Sequence, residues 1–465
     1  MRKIFIIALI CGMLSASCTK NHNEVVLNDI KTAKYGVTPE EKAKKVVLEM
    51  LNRIDPQTRG GVRKMASVEF ISFRQLFGSN TRNESDSIGF FGDSTHHRQP
   101  GVIIINFQDS TGFGVGVTNP IEEPEKFEGI EDGDPNIQLL ALTDSGSLTS
   151  DEIVSYIDSW MNNNSNGGNS GSTSPNLYDS EDDDYLIGGA DSDEFVMSLL
   201  CSYVYNSAVN GGNITEEDED DYQTVANMTN AQVGPLLRTK WWQGLPFNYY
   251  CHTYNSDGDK RPVGCVTVAT AQILTYFKNR PLNYYFGITS SFWGDLENEH
   301  YTQYVAPTNQ TQFDAATLMK KIADEIGVKY NYCGSGGTFA TPKKAQQYLE
   351  NDLGYSIDRQ VGGRGAKRLR NIVSSLNNNK PVFMAALDGV EGHAWVVDGY
   401  MQNQESTETV QDYFIHCNFG WGGSNDGWYF INVLSSNSNS DDYLDEGSGE
   451  QGMNYTWMFR YLFFE

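Results

Sequence analysis

The sequence predicts an α+β protein in two parts, a small one over 37–160 and a larger one over 225–465. Three observations predict this. Apolar residues recur at helical spacing from Ala43 to Ile54, and the strand pair further on is joined by Gln108-Asp109-Ser110-Thr111. A polar and acidic stretch then breaks the pattern between about 161 and 224. Beyond it aromatic residues become dense, and helical periodicity gives way to strands. The 465 residues allow two to four domains, and a composition 39% hydrophobic and 12% aromatic can fill real cores.

Taken in order, the first residues read as an export signal. Arg2 and Lys3 are followed by an apolar run, Ile4 to Leu14, too short to span a bilayer, then by Ser15-Ala16-Ser17 and Cys18. Small residues before a cysteine are similar to a bacterial lipoprotein cleavage site, so 1–18 is expected to be a lipoprotein-type signal with Cys18 acylated. Residues 19–36 make a polar tether. Thr38-Pro39-Glu40-Glu41 starts a helix with a capping box, and Ala43, Val46, Val47, Met50, Leu51 and Ile54 line its buried face. Val68 to Leu76 reads as a strand, and Val102 to Phe107 with Gly112 to Val117 reads as a hairpin. The span 161–224 is a flexible acidic linker carrying one helix, Glu194 to Val209, with a maturation cut expected between 210 and 232. In the larger part helices are expected over Val266–Lys278, Ala315–Ile326, Pro342–Leu353 and Ala366–Asn377. Strands follow over Val382–Leu387, Ala394–Gly399, Asp412–Asn418, Trp428–Val433 and Met458–Phe464.

Charge narrows the partners. Sixty acidic residues against 34 basic ones give a formal charge of −26, which repels phosphates, so nucleic acid and anionic headgroups are not expected partners. A membrane would be met through the lipid anchor alone. Seven cysteines occur, two of them in the signal. Cys201, Cys251, Cys265, Cys333 and Cys417 remain, an odd number without the spacing of a disulfide framework. Cys251-His252 and His416-Cys417 are adjacent pairs whose side chains point apart on a strand, unlike zinc ligand spacings, so no metal or cofactor is expected.

Four residues could carry chemistry. Cys265 follows Gly264 and opens a helix, where the macrodipole favours thiolate, the nucleophilic form. His393, in Gly392-His393-Ala394-Trp395-Val396-Val397-Asp398-Gly399, sits on a strand beside a glycine that leaves one side open to a cleft. Asn418, before Phe419-Gly420-Trp421-Gly422-Gly423, offers an amide that can orient an imidazole without neutralising a thiolate–imidazolium pair. Gln243, in Trp241-Trp242-Gln243-Gly244, can supply the donor that a developing oxyanion needs beside the Cys265 N–H. Taken singly, each has an ordinary alternative: a buried structural thiol, a core histidine, a turn asparagine, a solvated glutamine.

Together these segments resemble the streptopain family of cysteine peptidases. The stretches that carry the resemblance are Trp242-Gln243-Gly244 with Pro246-Phe247-Asn248, Gly264 to Ile273, Gly392-His393-Ala394 with Asp398-Gly399, and Asn418 to Gly427. The region from Gly327 to Tyr355 with its Gly334-Ser335-Gly336-Gly337 loop agrees as well. The separation of about 130 residues between Cys265 and His393 falls in the papain-type range. The resemblance implies a papain-like domain, a helical half carrying Cys265 and an antiparallel sheet half carrying His393, preceded by a small α+β prodomain. It implies Cys265 as nucleophile, His393 as base, Gln243 as oxyanion donor and Asn418 as orienting residue. Protein or peptide substrates follow, with residues 37–160 as an intramolecular inhibitor removed by proteolysis; the hairpin 106–114 is the clearest mark of that prodomain. The expectation is an exported, lipid-anchored precursor of a cysteine endopeptidase. The same residues could serve a catalytically silent surface binding protein or a cysteine-dependent acyl transferase. Two departures stand out: Phe419 replaces the family's tryptophan, and Ser436 to Asn454 lacks its long glycine loop.

Overall fold

The computed structural model describes residues 39–54, 63–77, 101–120, 135–165, 178–181, 184–189, 192–210, 232–252, 259–278, 292–332, 336–362, 365–387, 392–403, 412–434 and 458–465. The expected signal, the tether, the Thr38 cap, Cys333 and the span 211–231 lie outside them.

The N-terminal part begins with helix α1 (Pro39–Ile54), which buries Ala43, Val47 and Met50. Strand β1 (Met65–Ser72) runs into helix α2 (Phe73–Phe77). Here the expected strand over Val68–Leu76 is corrected. The Gln75 side chain accepts from the Ser72 amide at 2.9 Å and the Ser72 hydroxyl accepts from the Gln75 amide at 3.3 Å, a reciprocal cap that starts a helix at Phe73. Strands β2 (Gly101–Phe107) and β3 (Phe113–Pro120) form the expected hairpin and pair on to β4 (Pro135–Thr143). Helix α3 (Ser150–Ser165) opens with a capping box between Thr149 and Glu152. A two-strand hairpin, β5 (Tyr178–Asp179) and β6 (Asp184–Tyr185), precedes α4 (Ser192–Asn210).

The larger part starts at β7 (Gln232–Val233). Its helices are α5 (Cys265–Phe277), α6 (Phe292–Asn298), α7 (Gln310–Ile326), α8 (Pro342–Gln347) and α9 (Gly365–Asn377). A short hairpin, β8 (Lys329–Tyr330) and β9 (Thr338–Phe339), lies between α7 and α8. The sheet strands are β10 (Ile357–Val361), β11 (Val382–Leu387), β12 (Gly392–Asn403), β13 (Asp412–Asn418), β14 (Gly427–Phe430) and β15 (Met458–Phe464).

All the strands from β1 to β4 and from β10 to β15 join one antiparallel sheet, ordered β1-β2-β3-β4-β14-β13-β12-β11-β15-β10, with β7 also paired to β12. The two parts of the chain meet at β4 and β14. There Gly427 faces Thr143, and a side chain on it would meet the Leu142 carbonyl at 2.5 Å, so glycine is what lets the two strands close up.

Alternation along the strands divides the interior into two cores. Phe383, Ala385, Leu387, Ala394 and Val396 face α5 and α7. Val382, Met384, Ala386, Trp395 and Val397 face a second core shared with the N-terminal part, α4 and α9. The helical half and the sheet half expected of an α+β papain-like domain are both present, with α5 against β12.

Candidate active site

Helix α5 is enclosed: every residue from Cys265 to Thr275 is buried. Two of its threonines satisfy themselves within the helix, Thr270 donating to the Val266 carbonyl at 2.7 Å and Thr275 to the Ala271 carbonyl at 2.9 Å. Cys265, the first residue, abuts β12. The backbone N–H groups of Ala394, Val266 and Cys265 itself address its sulfur. Burial outweighs them and pushes the thiol up to about 11.

His393 is buried at the start of β12. Its Nε2 lies 2.7 Å from the Phe419 carbonyl. A carbonyl can only accept, so Nε2 carries the proton and Nδ1 the free lone pair. Aromatic rings surround the imidazole. Trp421 stacks on it at 3.9 Å between centroids, and Phe195 of α4 meets it edge-on at 5.3 Å. Burial pulls His393 down to about 3 against the opposing pull of the Phe419 carbonyl. No hydrogen bond joins the Cys265 sulfur to the His393 ring among the described residues. Both groups are therefore neutral at pH 7, and the thiolate–imidazolium pair is absent.

Asn418 does not reach His393. Its Oδ1 accepts from Gln272 Nε2 at 3.0 Å and from the Gly420 amide at 3.2 Å, and its Nδ2 donates to the Thr239 carbonyl at 2.7 Å. It pins the turn whose next carbonyl, that of Phe419, holds the imidazole. Gln272 completes this arrangement: its Oε1 accepts from the Trp241 amide at 3.3 Å, so one buried glutamine ties the Trp241 segment, α5 and the Asn418 turn together. Gln243 is half-buried two residues along from Trp241, and its carbonyl accepts from the Val263 amide at 3.0 Å, just before Cys265. The amide side chain of Gln243 engages no other described residue.

Sequence reasoning missed three contributors. Gln272 could have been found as a glutamine inside the apolar run from Val266 to Leu274, where a buried amide needs partners. Trp421 stands between glycines, a pattern that signals a turn and not a ring stacked on a histidine. Phe195 left no signal, because an apolar helix pattern is the same whether the ring fills a core or covers a histidine.

A stretch of the chain itself lies along the site. The amide and carbonyl of Ile187 pair with Ala340 at 2.9 and 3.1 Å, in antiparallel sense. The Gly392 amide donates to the Gly188 carbonyl at 3.1 Å, one residue before His393. A side chain on Gly188 would collide with the Thr338 carbonyl, so a glycine is required for this approach. Residues 184–189 thus bridge the helical side, through Ala340, and the sheet side, through Gly392. They fall within the span read as a linker.

Behind the site is a buried polar network. His416 Nδ1 lies 2.6 Å from Asp398, and Nε2 lies 3.4 Å from Asp144, the residue after β4. Burial works against charge on His416, yet the two carboxylates raise it to about 10. Asp144 also pairs with Arg63 at 2.8 Å. Asp426 accepts from the Phe419 amide at 2.8 Å and is pushed up to about 7 by burial. Cys201, Cys251 and Cys417 are buried free thiols held above their usual range by burial.

Comparison with known proteins places these features. Residues 241–429 match the model of the Peptidase C10 family. Over 247 residues the chain is 26% identical to the thiol protease/hemagglutinin PrtT of Porphyromonas gingivalis, covering 48% of this chain and 26% of that protein. Over 297 residues it is 26% identical to streptopain of Streptococcus pyogenes serotype M1, covering 57% of this chain and 70% of that one. The chain thus spans about a quarter of the length of PrtT. A solved fragment of prointerpain A from Prevotella intermedia, carrying a cysteine-to-alanine change, aligns at 17% identity with a TM-score of 0.43, covering 79% of this chain and 96% of that one. The region 241–429, which contains Gln243, Cys265, His393 and Asn418, thus matches the Peptidase C10 family model and is similar to streptopain, in line with the resemblance carried by the sequence.

Proposed function

We propose that this chain is the latent precursor of a cysteine endopeptidase, with Cys265 as nucleophile, His393 as general base and acid, Gln243 as oxyanion donor and Asn418 as positioning residue. The observation that carries the reading is the abutment of Cys265, at the start of a buried helix, on the strand bearing His393, with residues 184–189 of the same chain laid between the flanking segments. In this state the site is off: the histidine is caged by Phe195 and the thiol is protonated. Cleavage between 210 and 232 and departure of the N-terminal part would remove Phe195 and Ile187. Solvent then reaches both groups, the burial shifts relax, and the His393 ring can turn its Nδ1 toward the sulfur.

Acyl transfer follows. His393 takes the thiol proton as the sulfur attacks the scissile carbonyl, forming the C–S bond. Gln243 Nε2 and the Cys265 N–H stabilise the oxyanion. The imidazolium gives its proton to the leaving amine as the C–N bond breaks. His393 then deprotonates a water that attacks the thioester, releasing the acid and restoring the thiol. Asn418 acts through the Phe419 carbonyl, which fixes Nε2–H and so leaves Nδ1 as the base.

Export and acylation of Cys18 belong to the same reading. Labelling cells with radioactive palmitate tests them, with loss of label expected in Cys18→Ser. The peptidase itself is tested by incubating the processed chain with casein. Hydrolysis blocked by an epoxysuccinyl thiol inhibitor and absent in Cys265→Ala supports it. An absence of hydrolysis after processing sinks it in favour of a silent binding protein, and transfer to an added amine in place of water favours the transferase.

A further inference from the structure

Asp184, three residues before Ile187, is held by two arginines. Arg359 Nη2 lies 2.7 Å from Oδ2, and Arg460 Nε lies 2.9 Å from Oδ1. The Lys343 amide donates to Oδ2 at 3.2 Å, and the Tyr185 amide donates to Oδ1 at 2.9 Å. The Asp184 side chain is fully buried and that of Arg460 is 5% exposed. The arginines come from neighbouring strands of the larger part. In the β10–β15 register Arg359 faces Leu462 and Val361 faces Arg460. The two guanidiniums are therefore diagonal neighbours on one face of the sheet. Two like charges so placed repel each other unless an anion lies between them. In a chain of net charge −26, a buried Arg460 and a half-buried Arg359, 19% exposed, facing the same way make a built anion site. Arg359 Nε is buried with no hydrogen-bond partner, so the pair has donor capacity that Asp184 does not use.

The site is continuous with the cleft. From Asp184 the chain passes through buried Leu186 to Ile187 on Ala340 and Gly188 on Gly392. We propose that Arg359 and Arg460 form a carboxylate subsite of the mature cleft. Asp184 fills it in the intact chain; an acidic side chain of a protein substrate fills it afterwards, three residues N-terminal to the residue that takes the place of Ile187. The inference rests on the precursor reading above. The ligand is an extended acidic peptide, held by backbone pairing to Ala340 and by a charge-assisted fork at its acidic residue. Planar guanidinium donors suit a carboxylate, and an uncharged amide of the same size lacks both the charge and half of the acceptors.

Two arms test it. Fluorescein-labelled peptides with the sequence 183–189, carrying Asp or Asn at position 184, are titrated against the processed chain bearing Cys265→Ala, cut between 210 and 232 and freed of its N-terminal part, and anisotropy reports binding. The Asp peptide should bind at least tenfold tighter, and Arg460→Gln should reduce that ratio to about one. Equal binding, or no binding of either peptide, overturns the subsite. In the second arm, quenched peptides that differ only by Asp or Asn at this position are given to the processed Cys265 enzyme. A preference for Asp of about tenfold in kcat/KM is expected. Asp-dependent binding with no Asp preference in cleavage would make the pair a latch for the precursor alone and overturn the substrate claim. Failure to cleave even casein strikes the peptidase reading instead, while the binding arm still judges the arginine pair.

Discussion

Cys265 and His393 are each set far from the values a working thiol–imidazole pair requires. A thiol at about 11 is ionised to about one part in ten thousand at pH 7. Alkylation of Cys265 in the intact chain should therefore be slow and should climb with pH through the range 8 to 10 without a plateau. After processing the rate at pH 7 should rise at least a hundredfold; peptide mapping of the labelled cysteine measures both. Gln272 gives a second test. Gln272→Ala strands the Trp241 amide and removes a donor from Asn418, so urea unfolding should show a loss of about 1–3 kcal/mol. The four candidate residues stood out in the sequence because the motif blocks around them are local. What they touch was not legible. Asn418 looked free to orient the imidazole, yet its amide is spent on Gln272, Gly420 and Thr239, partners separated from it by up to 179 residues.

At the scale of elements, α4 and the strand-like segment 184–189 act as one clamp on the two sides of the site. Phe195 covers the imidazole, and Ile187 and Gly188 join Ala340 to Gly392. Phe195→Ala should let water reach His393. Its folded pKa, now about 3, lies below the ordinary 6.5, so the unfolded chain binds an extra proton between those values. The intact chain should accordingly lose stability as pH falls from 6.5 toward 3, and Phe195→Ala should flatten that slope while lowering stability at pH 7 by about 3–5 kcal/mol. Thermal melts across pH 3 to 7 check this. Most elements were readable from periodicity: the hairpin β2–β3, helices α5, α7 and α9, and strands β11 and β13 lie within a few residues of their expected bounds. Two strand expectations failed: a side-chain cap between Ser72 and Gln75 overrides the apolar run at Phe73, and the strand expected over Trp428–Val433 ends at Phe430, where Ile431–Leu434 winds into a 3-10 helix. The docking of 184–189 was hidden by its surroundings: Asp184 lies in the span 161–224 expected to be a flexible acidic linker, and nothing local says that this acid is buried between two arginines.

For the whole molecule, the joint between the two parts combines a strand pair with a charged one. His416, raised to about 10, is an imidazolium between Asp398 and Asp144. Its folded value exceeds the unfolded one, so its contribution is full below about 6.5 and is lost as pH rises through 10. The intact chain should weaken between pH 7 and 10, and His416→Asn should remove that alkaline dependence. Asp144→Asn should loosen the N-terminal part first, seen as faster hydrogen exchange in β4 than in β12. The sequence offered no hint of this joint, because β4 and β14 are nearly 290 residues apart and pairing at that distance leaves no periodic trace.

The shared sheet has one more consequence. On the precursor reading, a cut between 210 and 232 severs a connection without dismantling a structure, since β4 remains hydrogen-bonded along β14. Nicking and activation should then be separate events in time, the second set by dissociation or by digestion of the N-terminal part. Its departure uncovers a bare edge of Gly427, Trp428, Tyr429 and Phe430, an adhesive margin with three aromatic residues. Freshly freed enzyme should self-associate as its concentration rises, and adding back the cut N-terminal fragment should return it to monomers. The same fragment that silences the site would thus also act as its chaperone.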